Sequence, residues 1–333
     1  MTRPLQTGQR HCYDTRGVVR PCPESGQDGE YRPGLAEPEP RFQQIESQDT
    51  DHGQPEAVLD RLTGLEWMRH ASPFEFPLNW EESREACRAL NGPDTPPEQR
   101  WRLPNRRELF SLLHFDSANP ALPPDHPFVN VPSLACWTST RSARNEEYFW
   151  YVQLSGGRMF YHRRDSYAMA WPVRGASTVL PVTGREDETN TGIPWPTPRF
   201  AALHAEIILD QCTELAWTTT AGLDKPCLWQ EALDRVAERN RQRHLGLDNW
   251  RLPTIRELES LVDASRHDPA LPGEHPFRHW QEAYWSSTSS SFETDWAMCL
   301  YLHKGAVGVG YKPGPERFSC WPCADAAPDR HPL

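Results

Sequence analysis

The sequence predicts an α+β protein of two tandem domains, each with two helices packed on an antiparallel sheet. Three observations carry the prediction. The 333-residue chain repeats itself at a shift of about 150 residues, the size of a domain; each copy carries helix-opening capping pairs; and copy one ends in aromatic, period-two segments broken by glycine.

Leu59-Asp60-Arg61-Leu62-Thr63-Gly64-Leu65-Glu66-Trp67 matches Leu209-Asp210-Gln211-Cys212-Thr213-Glu214-Leu215-Ala216-Trp217. Trp101-Arg102-Leu103-Pro104 matches Trp250-Arg251-Leu252-Pro253. Farther on, Asn119 to Phe128 matches Asp268 to Phe277, and Trp137 to Thr140 matches Trp285 to Thr288, in the same order. The organisation that follows is a lead-in at 1–57, a first domain at 58–175, a linker at 176–207, a second domain at 208–325 and a tail at 326–333. The linker is read from its Thr-, Pro- and acid-rich composition, with Gly184-Arg-Glu-Asp-Glu188 and Pro194-Trp-Pro-Thr-Pro198.

In copy one, Asn79 with Glu82 predicts a helix start and Asn91-Gly92 its stop. In copy two, Trp229, Ala232, Leu233, Val236 and Ala237 share one helical stripe. Asn105 with Glu108 and Thr254 with Glu257 predict a second, short helix in each copy, ahead of Leu109, Leu112, Leu113 and Leu258, Leu261, Val262. Phe149 to Leu154, Arg158 to Tyr161 and Ala168 to Val173 read as a strand meander. Trp67, Trp101 and Trp137, with their matches Trp217, Trp250 and Trp285, are expected in the cores. Arg102 is expected to be held by Glu108, and Arg251 by Glu257, orienting the helices that follow.

The 35 basic and 46 acidic residues leave a net charge of −11, the wrong sign for a surface that binds nucleic acid in bulk. The 14 Trp, 9 Tyr and 12 Phe argue against disorder throughout. No apolar run reaches the roughly 18 residues that span a bilayer, and the first residues hold no apolar leader. Nine cysteines is an odd count, so at least one thiol is unpaired in the monomer. Cys12 and Cys22 close a small loop around Gly17 and are the preferred disulfide, given an oxidising compartment.

Asp60-x-x-Thr63-Gly64-Leu65-x-Trp67, Trp101-Arg-Leu-Pro-x-x-x-Glu108-Leu109 and Trp137-Thr-Ser-Thr140 resemble the Lcl C-terminal domain family, a bacterial domain of unknown function, and both copies carry the pattern. Thr7-Gly-Gln9, Cys12-Tyr-Asp14, Gly17, Pro21-Cys-Pro23 and Gly26-Gln-Asp-Gly29 resemble the segment that often precedes this domain in envelope proteins. The resemblance implies a C-type-lectin-like fold, a binding or adhesion role without established enzymatic activity, and a place in the cell envelope or outside the cell. Where the family typically ends in Arg-Cys-Val-Arg, this chain has Trp171-Pro-Val-Arg174 and Trp321-Pro-Cys-Ala324.

The candidate binding surface lies in residues 141–164. Arg141, Arg144, Arg158, Arg163 and Arg164 stand against Glu146 and Glu147, interleaved with Tyr148, Trp150, Tyr161 and His162. Guanidinium forks bind sulfate or carboxylate at two points and aromatic faces stack on sugar rings, so an anionic glycan suits the stretch, with a protein partner as the other expectation. The structural alternative is that alternation sends Trp150 and Tyr161 into the core. In copy two, Lys304, Lys312 and Arg317 are balanced by Glu293, Asp295 and Glu316, which suggests that the copies differ in role.

His126 and His275 recur in Pro-rich loops, with His267 and His279 near the second, but without metal-ligand spacing; no metal site is assigned. No cofactor is expected. Calcium is the one the implied fold would add, and the Glu-Pro-Asn or Gln-Pro-Asp signature of calcium-bridged sugar sites is absent. The competing reading is an oxidase or redox enzyme using Cys320 and Cys323, by analogy with the formylglycine-generating oxidases that share the lectin-like superfold.

Overall fold

The computed structural model describes residues 2–45, 56–185, 191–222 and 225–326; Glu186 to Glu188 of the acid run and all but the first residue of the expected tail lie outside the described residues. The chain forms two compact units, one of Ala36–Pro194 and one in which Met1–Leu35 joins Trp195–Leu333.

The lead-in contains β1 (Cys12–Tyr13), β2 (Val19–Arg20) and the one-turn helix α1 (Asp28–Tyr31), with Cys12 and Cys22 disulfide-bonded. The unit Ala36–Pro194 runs β3 (Phe42–Ile45), β4 (Ala57–Asp60), β5 (Glu66–Met68), α2 (Trp80–Ala89), α3 (Arg106–Ser111), β6 (Ala135–Arg141), β7 (Tyr148–Gln153), β8 (Arg158–Arg163) and β9 (Val173–Arg174). The other unit follows with β10 (Phe200–His204), β11 (Ile207–Asp210), β12 (Leu215–Thr218), α4 (Trp229–Arg241), α5 (Ile255–Ser260), β13 (Ala283–Ser289), β14 (Trp296–Tyr301), β15 (Ala306–Tyr311) and β16 (Cys323–Asp325). In each copy four strands pair antiparallel, in the order β3-β4-β5-β9 and β10-β11-β12-β16. Three more form a meander, β6-β7-β8 and β13-β14-β15. The fold is therefore α+β, twice over.

Besides the β1–β2 pair of the lead-in, two strands that join the domain sheets arise outside the expected domains. β3 comes from the lead-in and β10 from the linker, each pairing with the first strand of the copy it precedes. Of the expected strand Ala168 to Val173 only Val173 belongs to one; Ala168 and Met169 make single bridges to Leu78 and Cys136. Pro172 carries no N–H to extend the ladder.

The helices start where the capping pairs put them. Asn79 accepts from the Glu82 amide at 3.0 Å and its own amide donates to the Glu82 carboxylate at 3.0 Å; Asn105–Glu108 and Thr254–Glu257 repeat the exchange. Replacing Asn79 by Ala is expected to cost about 1 kcal/mol, read as a lower urea midpoint with unchanged slope.

Indoles fill both cores and are anchored in parallel. Trp80 and Trp229 donate to Thr138 O (2.9 Å) and Ser286 O (2.8 Å), and Trp137 and Trp285 to Leu78 O (2.9 Å) and Cys227 O (2.8 Å). Asn91 and Asn240 each clamp the backbone N–H and C=O of the tryptophan ten residues on, Trp101 and Trp250. Trp67, Trp101, Trp137, Trp217, Trp250 and Trp285 are all buried.

Copy two carries the lead-in against the end of β13 and the turn that follows it. The Gln9 side chain pairs with both backbone groups of Ser289, at 2.9 and 2.8 Å, and Thr288 Oγ1 donates to Asp28 Oδ2 at 2.6 Å. Thr294 Oγ1 donates to Gly17 O at 2.9 Å. A Cβ at residue 17 would lie 2.5 Å from that hydroxyl and φ there is +78°, so only glycine fits.

Candidate functional site

Register in the first meander decides how the 141–164 residues are shared between its faces. Tyr148 pairs with Arg163 and Trp150 with Tyr161, which puts these four on one face. Phe149 pairs with His162 and Gln153 with Arg158 on the other. The nine expected ligand residues therefore do not form one surface.

Two of them stand apart from the exposed surface around Arg144. Trp150 is enclosed, with the Arg106 guanidinium 4.1 Å over its ring and Tyr161 edge to face with it at 5.2 Å, so it offers almost no surface to solvent. His162 is exposed on the opposite face, lying flat on Tyr151 at 4.3 Å, and partial burial lowers its pKa from the ordinary imidazole value. Arg158 stands on that opposite face as well.

The other arginines differ in how far they are already engaged. Arg163 grips Asp165 with two hydrogen bonds of 3.1 Å, which hold its pKa above the ordinary value, and Asp165 lies just past the stretch that sequence reasoning counted. Arg164 lies 3.8 Å from Glu147 and 3.9 Å from Glu81, and Arg141 lies 3.8 Å from Glu146. The exposed Arg144 contacts a phenol instead: its Nη1 donates to Tyr161 Oη at 3.4 Å, and no carboxylate among the described residues pairs with it. Tyr148 meets Tyr161 edge to face at 5.6 Å. Arg144, Tyr148 and Tyr161 thus form a corner with one uncommitted cation and two partly open rings.

Copy two has no such corner. The Arg144 and Tyr161 positions are Phe292 and Val309, by the shared turn hydrogen bonds Tyr148 N to Asn145 O and Trp296 N to Glu293 O. Lys312, one of the charges counted in the corresponding stretch, is fully enclosed: Nζ donates to Ser289 Oγ and Thr294 O, both at 2.8 Å, and sits 4.2 Å over the Trp229 ring.

The Arg–Glu pairs sit as expected. Arg102 donates to both Glu108 oxygens at 2.7 Å, and Arg251 to Glu257. Sequence reasoning missed a second pair in each copy: Arg41 holds Asp60 at 3.0 and 2.9 Å, and Arg199 holds Asp210 at 3.0 and 2.7 Å. The signal was available, since Pro40-Arg41-Phe42 repeats as Pro198-Arg199-Phe200 ahead of each copy.

Cys320 and Cys323 are both buried with reduced thiols. Burial pushes the Cys323 thiol well above its ordinary pKa, and Glu257 adds to the rise while Arg251 opposes it. A thiolate, the species that thiol redox chemistry needs, is disfavoured there. His126 and His275 lie in their loops beside Phe128 and Phe277, and among the described residues no group of three or more His, Cys, Asp or Glu is placed to hold a metal. No helix of the described residues is long and apolar enough to cross a membrane.

Comparison with family models matches residues 56–174 and again 206–323 to the Lcl C-terminal domain. No curated protein and no solved structure matches the chain.

Proposed function

The chain belongs to the Lcl C-terminal domain family, carrying the domain twice, and from that premise we propose that it is a non-catalytic recognition protein of the bacterial envelope or exterior that binds an anionic glycan through copy one. The observation that carries this reading is the Arg144–Tyr161–Tyr148 corner: an exposed guanidinium without a carboxylate partner, held beside two rings. A sulfate or uronate would take the guanidinium fork while the sugar ring packs on a phenol face. The high thiol pKa of Cys323 weighs against the redox alternative. Because copy two lacks the corner, it serves in this reading as the support onto which the lead-in folds.

A glycan array read with and without a calcium chelator tests the proposal. Binding is expected only to sulfated or uronate glycans, insensitive to chelator and weakened by salt, and Arg144→Ala should lower the affinity about tenfold. Retained affinity in Arg144→Ala would refute the site, and silence across the array would turn the reading toward a protein partner.

A further inference from the structure

The lead-in does not close completely over copy two. Between it and the outer side of α4 lies a cavity of about 560 Å³, a size that suits a small organic ligand. Its floor is apolar, formed by Leu233, Val236 and Ala237 of α4. The matching helix of copy one is built differently. Counting from Trp80 and Trp229, which share their indole hydrogen bonds, Leu233 and Ala237 correspond to Arg84 and Arg88. The apolar floor is therefore particular to copy two.

Charged groups stand around that floor in both signs, and several are uncommitted. Arg20 lines the cavity and pairs with no carboxylate among the described residues. Arg251 lies deeper, with its side chain 5% exposed; Nη2 holds Glu257 and Asp325 while the buried Nε has no partner. The lining also includes Glu24, whose carboxylate makes no ion pair among the described residues, and Asp234, which accepts only from Gln230 Nε2 at 3.0 Å among them. Tyr31 adds a ring beside Arg251, whose charge partly offsets the rise that burial imposes on the phenol.

We propose that this cleft is a binding site for a short zwitterionic peptide with apolar side chains, its carboxylate directed to Arg20 and its ammonium to Glu24 and Asp234. The assignment follows from complementarity: a cation and two carboxylates that form no ion pairs among the described residues, lining one cavity with apolar side chains, suit a ligand that brings both charges and an apolar body. The site shares no residue with the Arg144 corner and stands or falls separately from the glycan reading.

Calorimetric titration of the full chain with leucyl-leucine, and with its N-acetylated, C-amidated form, tests this. The free dipeptide is expected to bind one to one, and the capped form at least about tenfold more weakly. Arg20→Ala should weaken the free dipeptide by a similar factor. Ala237→Trp, at an exposed helix position on the floor, should abolish binding while leaving the melting temperature and sulfated-glycan binding unchanged. Absence of binding at millimolar dipeptide, equal affinity for the capped form, or undiminished affinity in Ala237→Trp would each overturn the proposal.

Discussion

Replacing Arg199 by Met is expected to destabilise the unit containing copy two by about 3–5 kcal/mol, the cost of leaving a buried carboxylate without its counter-ion. Asp210 is wholly buried and Arg199 nearly so, with the guanidinium spanning both carboxylate oxygens and the Ser260 carbonyl at 2.8 Å. Burial opposes the Arg199 charge, and Asp210 more than restores it, so the guanidinium is held above its ordinary pKa. The pair also ties β11 to the end of α5. Asp210 further accepts from the Cys212 amide at 3.0 Å, so the double variant Arg199→Met/Asp210→Asn keeps that acceptor while removing the charge. It should therefore be more stable than Arg199→Met alone. Urea unfolding of the single and double variants measures the difference; a single variant within about 1 kcal/mol of the parent would show that water reaches Asp210. The equivalent substitution, Arg41→Met beside Asp60, should act on the other unit with similar magnitude.

Local chemistry made most of the architecture legible. A capping pair such as Asn105–Glu108 needs only four residues, and the Trp-Arg-Leu-Pro run places the tryptophan, the proline and the helix start within one short segment. The edge strands β3 and β10 were harder to see. Phe42–Ile45 and Phe200–His204 carry several exposed positions and lie in composition that reads as linker, and what fixes them is pairing with a strand later in sequence. The candidate surface was legible by residue type but not by geometry. Strand alternation divides a charge-rich stretch between two faces, and the carboxylates that partner its arginines come partly from elsewhere: Glu81 on α2 and Asp165 beyond β8. The burial of Lys312 was hidden for the same reason, because what packs on it includes Tyr13 of a lead-in far away in sequence, 5.6 Å from its Nζ.

That covering should give Lys312 a measurable signature in pH. Burial lowers its pKa from 10.5 to about 7, against the smaller upward pull of Asp14 and Asp295. Below pH 7 folded and unfolded chains both carry the ammonium, so the folded state bears the whole burial cost. Between about 7 and 10.5 the folded chain releases a proton that the unfolded chain keeps, and stability therefore rises with pH through this window. Lys312→Met removes the titrating group but keeps an unbranched apolar stem over Trp229. The parent should thus gain on the order of 3 kcal/mol relative to Lys312→Met as pH goes from about 6.5 to 9.5. Taking the difference between the two chains cancels slopes from groups common to both, among them Cys87 and Cys136, whose thiols burial pushes up to about 12. Asp28 of the lead-in, raised to about 7 by its burial against copy two, acts mainly below the window, where its ionisation makes stability fall as pH climbs from about 4. Urea midpoints of both chains at matched ionic strength supply the measurement. Parallel curves would mean that the amine stays hydrated and that the lead-in does not seal the Trp229 side of copy two.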